Sequence, residues 1–207
     1  MSPPEINSYP QSILLVLSGP SGVGKDYVLN NLKTRPLAND LTIIVTNTTR
    51  PMRTGEVQDA NYHFVTPAEF QEMIARNEFL EYANVYGNWY GVSKKSVRAV
   101  LAAKRDAVVK VDVQGARAIK QIIPQAVLIF LSPSSLSELG DRLQKRNTES
   151  PSDLIRRLKT AEAEMAEVSC FDYVIVNKNG QVDRAIVELE AIIIAEKICT
   201  KPREYNF

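Results

Sequence analysis

The sequence is short of several residue types that chemistry often needs. It holds one histidine, His63, in 207 residues. A histidine-rich metal centre has no material here, and a Ser-His-Asp triad would rest on that single ring. The two cysteines, Cys170 and Cys199, sit in no C-x-x-C or metal-ligand spacing and read as reduced thiols of an intracellular protein. Charge of one sign is also missing. Lys and Arg number 25 against 24 Asp and Glu, for a net charge of +1. No global field therefore draws the chain to nucleic acid or to an anionic membrane, and any anion must be held by a local cluster. No apolar run approaches the ~18 residues of a spanning helix. The opening MSPPEINSYPQS lacks both a cationic region and an apolar run. Residues 1–11 read as a loose tail, neither signal peptide nor anchor. Internal repeats and low-complexity tracts are absent as well.

What is present is the mix of an ordinary globule, 44% hydrophobic and 24% charged. A chain of this length suits one domain with sub-lobes and needs no staples. Residues 13–17 (ILLVL) are all apolar, as in a strand covered on both faces. Residues 27–32 then read as a helix stopped before Pro36. Similar runs recur at 108–113, 127–131 and 173–176, with helical patterns between them. That alternation implies a parallel sheet wrapped by helices. Residues 42–93 differ, being richer in Thr, Asn, Tyr and Arg, with short alternating segments. They read as an inserted lobe with its own twisted sheet. Residues 134–152 read as a helix followed by a polar stretch. A second helix begins at Asp153 with an apolar stripe of Leu154, Ile155, Leu158, Ala161, Met165 and Val168, read as core packing. A last helix runs from Val182 to about Thr200.

Gly19-Pro20-Ser21-Gly22-Val23-Gly24-Lys25-Asp26 follows the first strand and opens a helix. The spacing is that of a phosphate-binding P-loop, G-x-x-x-x-G-K-[ST], up to its last position. Backbone N–H groups must turn inward around phosphate oxygens, and glycines permit that close approach. The helix N-terminus adds partial positive charge, and Lys25 adds a point cation. Asp26 stands where a hydroxyl is usual. Its carboxylate is a hard donor for Mg²⁺, directly or through water, but it also sets a negative charge beside the phosphates. Asp112, after an apolar run, has the place of a Walker B acid orienting hydrated Mg²⁺. Lys110 lies two residues earlier, on the same face of an extended strand. Lys110 is therefore expected to pair with Asp26.

Residues 46–56 (TNTTRPMRTGE) are dense in hydroxyls and cations. Arg50 and Arg53 are spaced to clamp one phosphate with two planar forks. In GPSGVGK, TTRPMRTGEV, NYHFV, FLEYANVYGNWYG, VDVQG, RLQKRNTES with RRL, and VIVN, in that order, the sequence resembles the guanylate kinase family from about residue 13 to about residue 194. The resemblance implies an α/β fold. Its core would be a P-loop NTPase-type parallel sheet with helices on both faces (12–41, 94–133, 170–207). An inserted GMP-binding lobe (42–93) and a small helical lid (about 134–169) would complete it. It implies ATP-dependent transfer of a phosphoryl group to GMP, and to dGMP, with Mg²⁺ as cofactor. The small molecules ATP and GMP would be the partners, in a cytoplasmic monomer or weak homodimer.

The same resemblance assigns roles. Gly19 to Asp26 would hold ATP, with Asn177 near its adenine. Arg50, Arg53, Tyr62 and Tyr90 would bind the GMP phosphate. Glu81 would read guanine, with Thr46 and Asp112 also on the GMP side. Arg146 and Arg157 would be lid arginines that act in catalysis with Lys25 and Arg50, and Asp26 and Asp112 would serve the metal. Asp26, Lys110 (for an acidic residue) and Val92 (for Thr or Ser) depart from the family pattern. Two rivals share the scaffold: ribose bisphosphate phosphokinases, which can also carry Gly-Lys-Asp, and guanylate-kinase-like binding modules that have lost catalysis.

Overall fold

A computed structural model describes residues 12–85, 87–144 and 151–199, with Arg203, Tyr205 and Phe207. In chain order the elements are β1 (Leu14–Ser18), α1 (Lys25–Leu32), β2 (Leu41–Ile43), β3 (Asn47–Thr48), β4 (His63–Phe64), α2 (Pro67–Ala75), β5 (Phe79–Val85) and β6 (Asn88–Ser93). Then follow α3 (Lys94–Ala102), β7 (Asp106–Lys110), α4 (Val113–Ile122), β8 (Val127–Ser132), α5 (Leu136–Gln144), α6 (Pro151–Ala166), β9 (Tyr173–Val176) and α7 (Val182–Lys197).

Five strands form a parallel sheet in the order β2-β7-β1-β8-β9. Side chains along β1 alternate between its faces. Ile13, Leu15 and Leu17 pack with Val28 and Leu32 of α1 and Ile186 and Leu189 of α7. Leu14 and Val16 pack on the other side with Val97, Ala116 and Ile119. Both faces are covered, which is why the strand carries no polar residue before Ser18. Each such side chain contributes about 1.5–3 kcal/mol by leaving water. Leu15→Ala, with cavity formation added, costs about 2–5 kcal/mol.

The second sheet is smaller, ordered β4-β3-β6-β5. Its pairs are antiparallel except β3 with β4. α2 opens with a capping box between Thr66 and Glu69 and has Pro67 in its first turn, so its first N–H groups are satisfied locally. It buries Phe70 in a stack on Phe79, ring centroids 4.4 Å apart. This anchors β5, the strand that carries Glu81.

Several boundaries differ from the sequence reading. Thr42 and Ile43, assigned to the lobe by composition, pair with Ala107 and Val108 in the first sheet. The strand read at 108–113 is Asp106–Lys110. Asp112 is instead the N-cap of α4, its Oδ1 accepting the Gly115 N–H at 2.7 Å. Lys110 and Asp112 are thus not two neighbours on one strand face. β9 was read as covered on both sides, yet Val174 and Val176 are exposed, because β9 is the edge of the sheet. The helix begun at Ser134 spans Leu136–Gln144 among the described residues, and the next starts at Pro151. In its stripe only Ala161 is fully buried, while Ile155 and Val168 are exposed. α1 begins at Lys25, two residues before the sequence reading, and α7 ends at Lys197.

Candidate active site

The glycine loop joins β1 to α1. Gly19 has φ 133°, and a Cβ there would meet the Leu131 carbonyl oxygen at 2.1 Å. No side chain fits, so the loop lies against β8. Gly24, at φ 100°, is the left-handed cap of α1. Lys25 folds over its own loop and donates to the carbonyl oxygens of Gly19 and Pro20. Burial pushes its ammonium down to about 8, against the opposing pull of Glu164.

Two side chains brace this loop from the far end of the sheet. Asn177 Nδ2 donates to Val23 O at 2.8 Å. Arg142 Nη1 donates to the same oxygen at 2.8 Å, and its Nη2 reaches Asn177 O. Asn177, assigned to the adenine side, is therefore bonded to the loop itself. Arg142 escaped the sequence reading because its spacing shows only the Glu138 pair one turn earlier, and not the Val23 and Asn177 carbonyls.

Across from the loop lies a wall from the second sheet and its connections. Arg50 Nη2 donates to both oxygens of Glu56, at 2.7 and 2.9 Å. Its guanidinium sits 5.4 Å from the Tyr62 ring centroid and 5.8 Å from that of Phe64. Burial alone would raise the Glu56 carboxyl; Arg50 and the Arg53 amide overcome it and hold Glu56 below its usual range. Tyr62 meets Tyr90 edge-on, centroids 6.0 Å apart. Arg50, Tyr62 and Tyr90 are thus brought together, and Glu56 is the residue the sequence reading missed among them. Arg53 is exposed; its backbone exchanges hydrogen bonds with Glu56, and its charge adds to the pull on that carboxyl. Thr46 is buried at the start of the wall, its carbonyl accepting the His63 N–H. Val92 is fully buried among core residues rather than facing a cleft.

Glu81 is the wall's unusual member. It is 6% exposed, and its Oε2 has no hydrogen-bond partner among the described residues. Gly115 of α4 makes the room: a Cβ there would lie 2.8 Å from that oxygen. Burial, with Asp112 acting in the same direction, pushes the carboxyl up to about 8. A buried acceptor left open costs about 1–3 kcal/mol, and a ligand that donates two N–H groups would recover it.

Lys110 joins the two sides. Its Nζ donates to Asp26 Oδ1 at 2.5 Å and to the Tyr62 hydroxyl at 3.1 Å. The pairing expected with Asp26 is present. Burial lowers the Lys110 ammonium, but Tyr62 and Asp26 outweigh it and hold it above the ordinary lysine range. Asp112 bears electrostatically on Lys25, Glu81 and Glu164. Among the described residues no three of His, Cys, Asp and Glu form a metal-holding group. Asp26 and Asp112 both lie close enough to Lys25 to act on its proton. Such a pair of hard oxygen donors fits Mg²⁺ that stays largely hydrated and completes its shell with phosphate oxygens.

α6 approaches the loop from above. Burial pushes the Glu164 carboxyl up to about 7, despite Lys25 nearby. Arg157 lies seven residues earlier on α6, two turns away and so on the same face. Glu164 was not singled out from sequence, since the stripe drew attention only to apolar positions. Arg146, the other expected lid arginine, lies outside the described residues.

A glycine loop carried by a buried parallel strand to a helix N-terminus places the chain among the P-loop nucleotide-binding α/β proteins. Known proteins narrow that class. The guanylate kinase family model matches residues 11–196. A guanylate kinase from Caldanaerobacter subterraneus subsp. tengcongensis is 43% identical over 187 residues, 90% of this chain and 89% of that one. Another, from Clostridium perfringens, is 42% identical over 193 residues, 93% of this chain and 88% of that one. The crystal structure of guanylate kinase from Anaplasma phagocytophilum superposes with a TM-score of 0.76 at 30% identity, covering 93% and 89% of the two chains. The chain belongs to the guanylate kinase family.

Proposed function

We propose that the chain transfers the γ-phosphoryl group of ATP to GMP, and to dGMP, giving ADP and GDP in purine nucleotide metabolism. The observation that carries the choice of acceptor is Glu81, a buried carboxyl with an oxygen left unpaired. Guanine presents two donors on one edge, N1–H and the 2-amino group; adenine presents no such pair. Thr46 and Asp112 would line the same base.

The rest of the site distributes charge. Lys25 leaves the loop carbonyls for the donor phosphates, whose charge offsets the cost of burying its ammonium. Residues Gly19 to Asp26 cradle those phosphates, with Asn177 and Arg142 holding the loop in shape. Arg50, Tyr62 and Tyr90 hold the acceptor phosphate, and Arg53 swings in from solvent. That phosphate is already an ionised nucleophile, so no strong base is needed. Asp26 and Asp112 would hold Mg²⁺ through water. Bound there, the ion offsets charge on the phosphoryl group. Arg146 and Arg157 close over that group once both substrates are bound, which excludes water. The setting we infer is cytoplasmic, with small-molecule partners only and a monomer or weak homodimer. Among the described residues no helix is long and apolar enough to cross a membrane.

A coupled ADP-release assay with ATP, Mg²⁺ and GMP, AMP or ribose 1,5-bisphosphate tests this. Fast turnover with GMP alone is the expected result. Turnover with the sugar phosphate alone would move the chain to the phosphokinase reading. Silence with all three, and no ATP binding, would make it a binding module.

A further inference from the structure

Lys110 has no role in the transfer just described, yet its surroundings are those of a ligand-binding group. It stands at the end of β7, level with Leu17 of β1, on the floor between the loop and the wall. Its side chain is 15% exposed, whereas Asp26, its partner, is 73% exposed. The pair is thus open on the carboxylate side. An ammonium has three donors. Asp26 takes one and the Tyr62 hydroxyl a second; among the described residues no third acceptor is bonded. The Tyr62 ring lies 4.7 Å from Nζ, which fixes the cation against that ring. Because the phenol oxygen accepts from Lys110, its own O–H proton must point elsewhere. Lys110 is also close enough to Lys25 to depress that ammonium.

We propose that Lys110 is a substrate-contacting residue whose third N–H takes an oxygen of the acceptor's phosphate, with Asp26 as the tether that aims it. The proposal rests on the assignment of Tyr62 to the acceptor phosphate made above. The phosphate would then receive two donors, Lys110 Nζ–H from the end of β7 and Tyr62 O–H from the residue before β4. The chain thereby places a cation where its relatives' pattern places an acid, and places the acid on the loop. Against a hydroxyl and an acid at these two positions, the pair adds one positive charge and sets it toward the acceptor.

The test is calorimetric titration of GMP and of guanosine, without ATP or metal. The proteins are the wild type, Lys110→Met, Lys110→Gln and the double variant Asp26→Ser/Lys110→Met. The phosphate-free nucleoside separates a phosphate contact from a general loosening of the fold. Lys110→Met and Lys110→Gln are expected to weaken GMP by about 10-fold or more, as loss of a charge-assisted hydrogen bond does, and to leave guanosine unchanged. The double variant removes the carboxylate that would otherwise repel phosphate, and it is expected to stay weakened for GMP alone. Recovery of wild-type GMP affinity in the double variant would overturn the proposal, since Lys110 would then merely neutralise Asp26. Parallel loss of GMP and guanosine would overturn it too, as would no loss of either. A wild type that binds no GMP would instead refute the acceptor assignment itself.

Discussion

The loop at Gly19–Lys25 and the wall that faces it are the two proposed anion sites, and they are built on different plans. The loop is backbone: a strand, a turn and a helix start that are contiguous in sequence, shaped by three glycines at positive φ. The wall is side chain: Arg50, Tyr62, Glu81 and Tyr90 come from separate strands and connections, and only folding brings them together. Their electrostatics mirror each other. Burial holds Lys25 low, at about 8, and holds Glu81 high, at about 8. In each, burial works against the charged form, and a ligand of complementary character would offset that cost. A backbone cradle suits any triphosphate. A side-chain wall can discriminate, because an unpaired carboxylate rejects whatever cannot donate to it.

The largest break in this comparison is expected on the loop side. Lys25→Ala should lower kcat by about 10³-fold or more, as removal of a preorganised charge does, with the circular dichroism spectrum unchanged. Arg157→Ala comes next: kcat should fall by about 10²-fold while GMP affinity stays within about 3-fold, because the residue acts only on the closed state. Single-turnover kinetics beside GMP titration would read that split. Arg142→Ala should affect the loop alone. Loss of its bonds to the Val23 and Asn177 carbonyls should weaken ATP by about 10-fold and leave GMP binding as it was.

The smallest effect sharpens the contrast. The Glu81 carboxyl titrates at about 8 when folded and at 4.5 as its ordinary value. Its folded pKa is raised, so its contribution to stability is complete below about 4.5 and is lost as the pH rises through about 8. Glu81→Gln removes that loss. Its thermal midpoint, measured against wild type, should gain from pH 5 upward and level off above about pH 8. A flat difference would mean that the carboxylate is already compensated in the empty site.

Much of the first sheet was legible because its strands are apolar runs punctuated by turns, and a glycine loop is a local pattern. What failed had non-local causes. The start of β7 is hidden by Asp106, a buried carboxylate that reads as a turn residue but accepts the Ile13 N–H and the Lys197 ammonium. Its end is hidden by Asp112, which continues the alternation yet caps α4. The openness of β9 follows from its place at the sheet edge, which no window of four residues contains. On the site itself, the Asp26–Lys110 pair was foreseeable because two departures from one pattern compensated each other. Arg142 and Glu164 were not, since Arg142 bonds to a loop, and Glu164 acts on its lysine, more than a hundred residues away.

The account centres on Glu81 as the reader of the acceptor's base, and the direct test compares kcat/KM for GMP and AMP in wild type and Glu81→Gln. The amide keeps the shape but offers one acceptor and one donor to an edge that presents two donors. Wild type should strongly prefer GMP, and the variant should lose about 10²-fold or more on GMP with no further loss on AMP. A variant that keeps the wild-type preference would contradict the account and send the search for the discriminating group elsewhere on the wall.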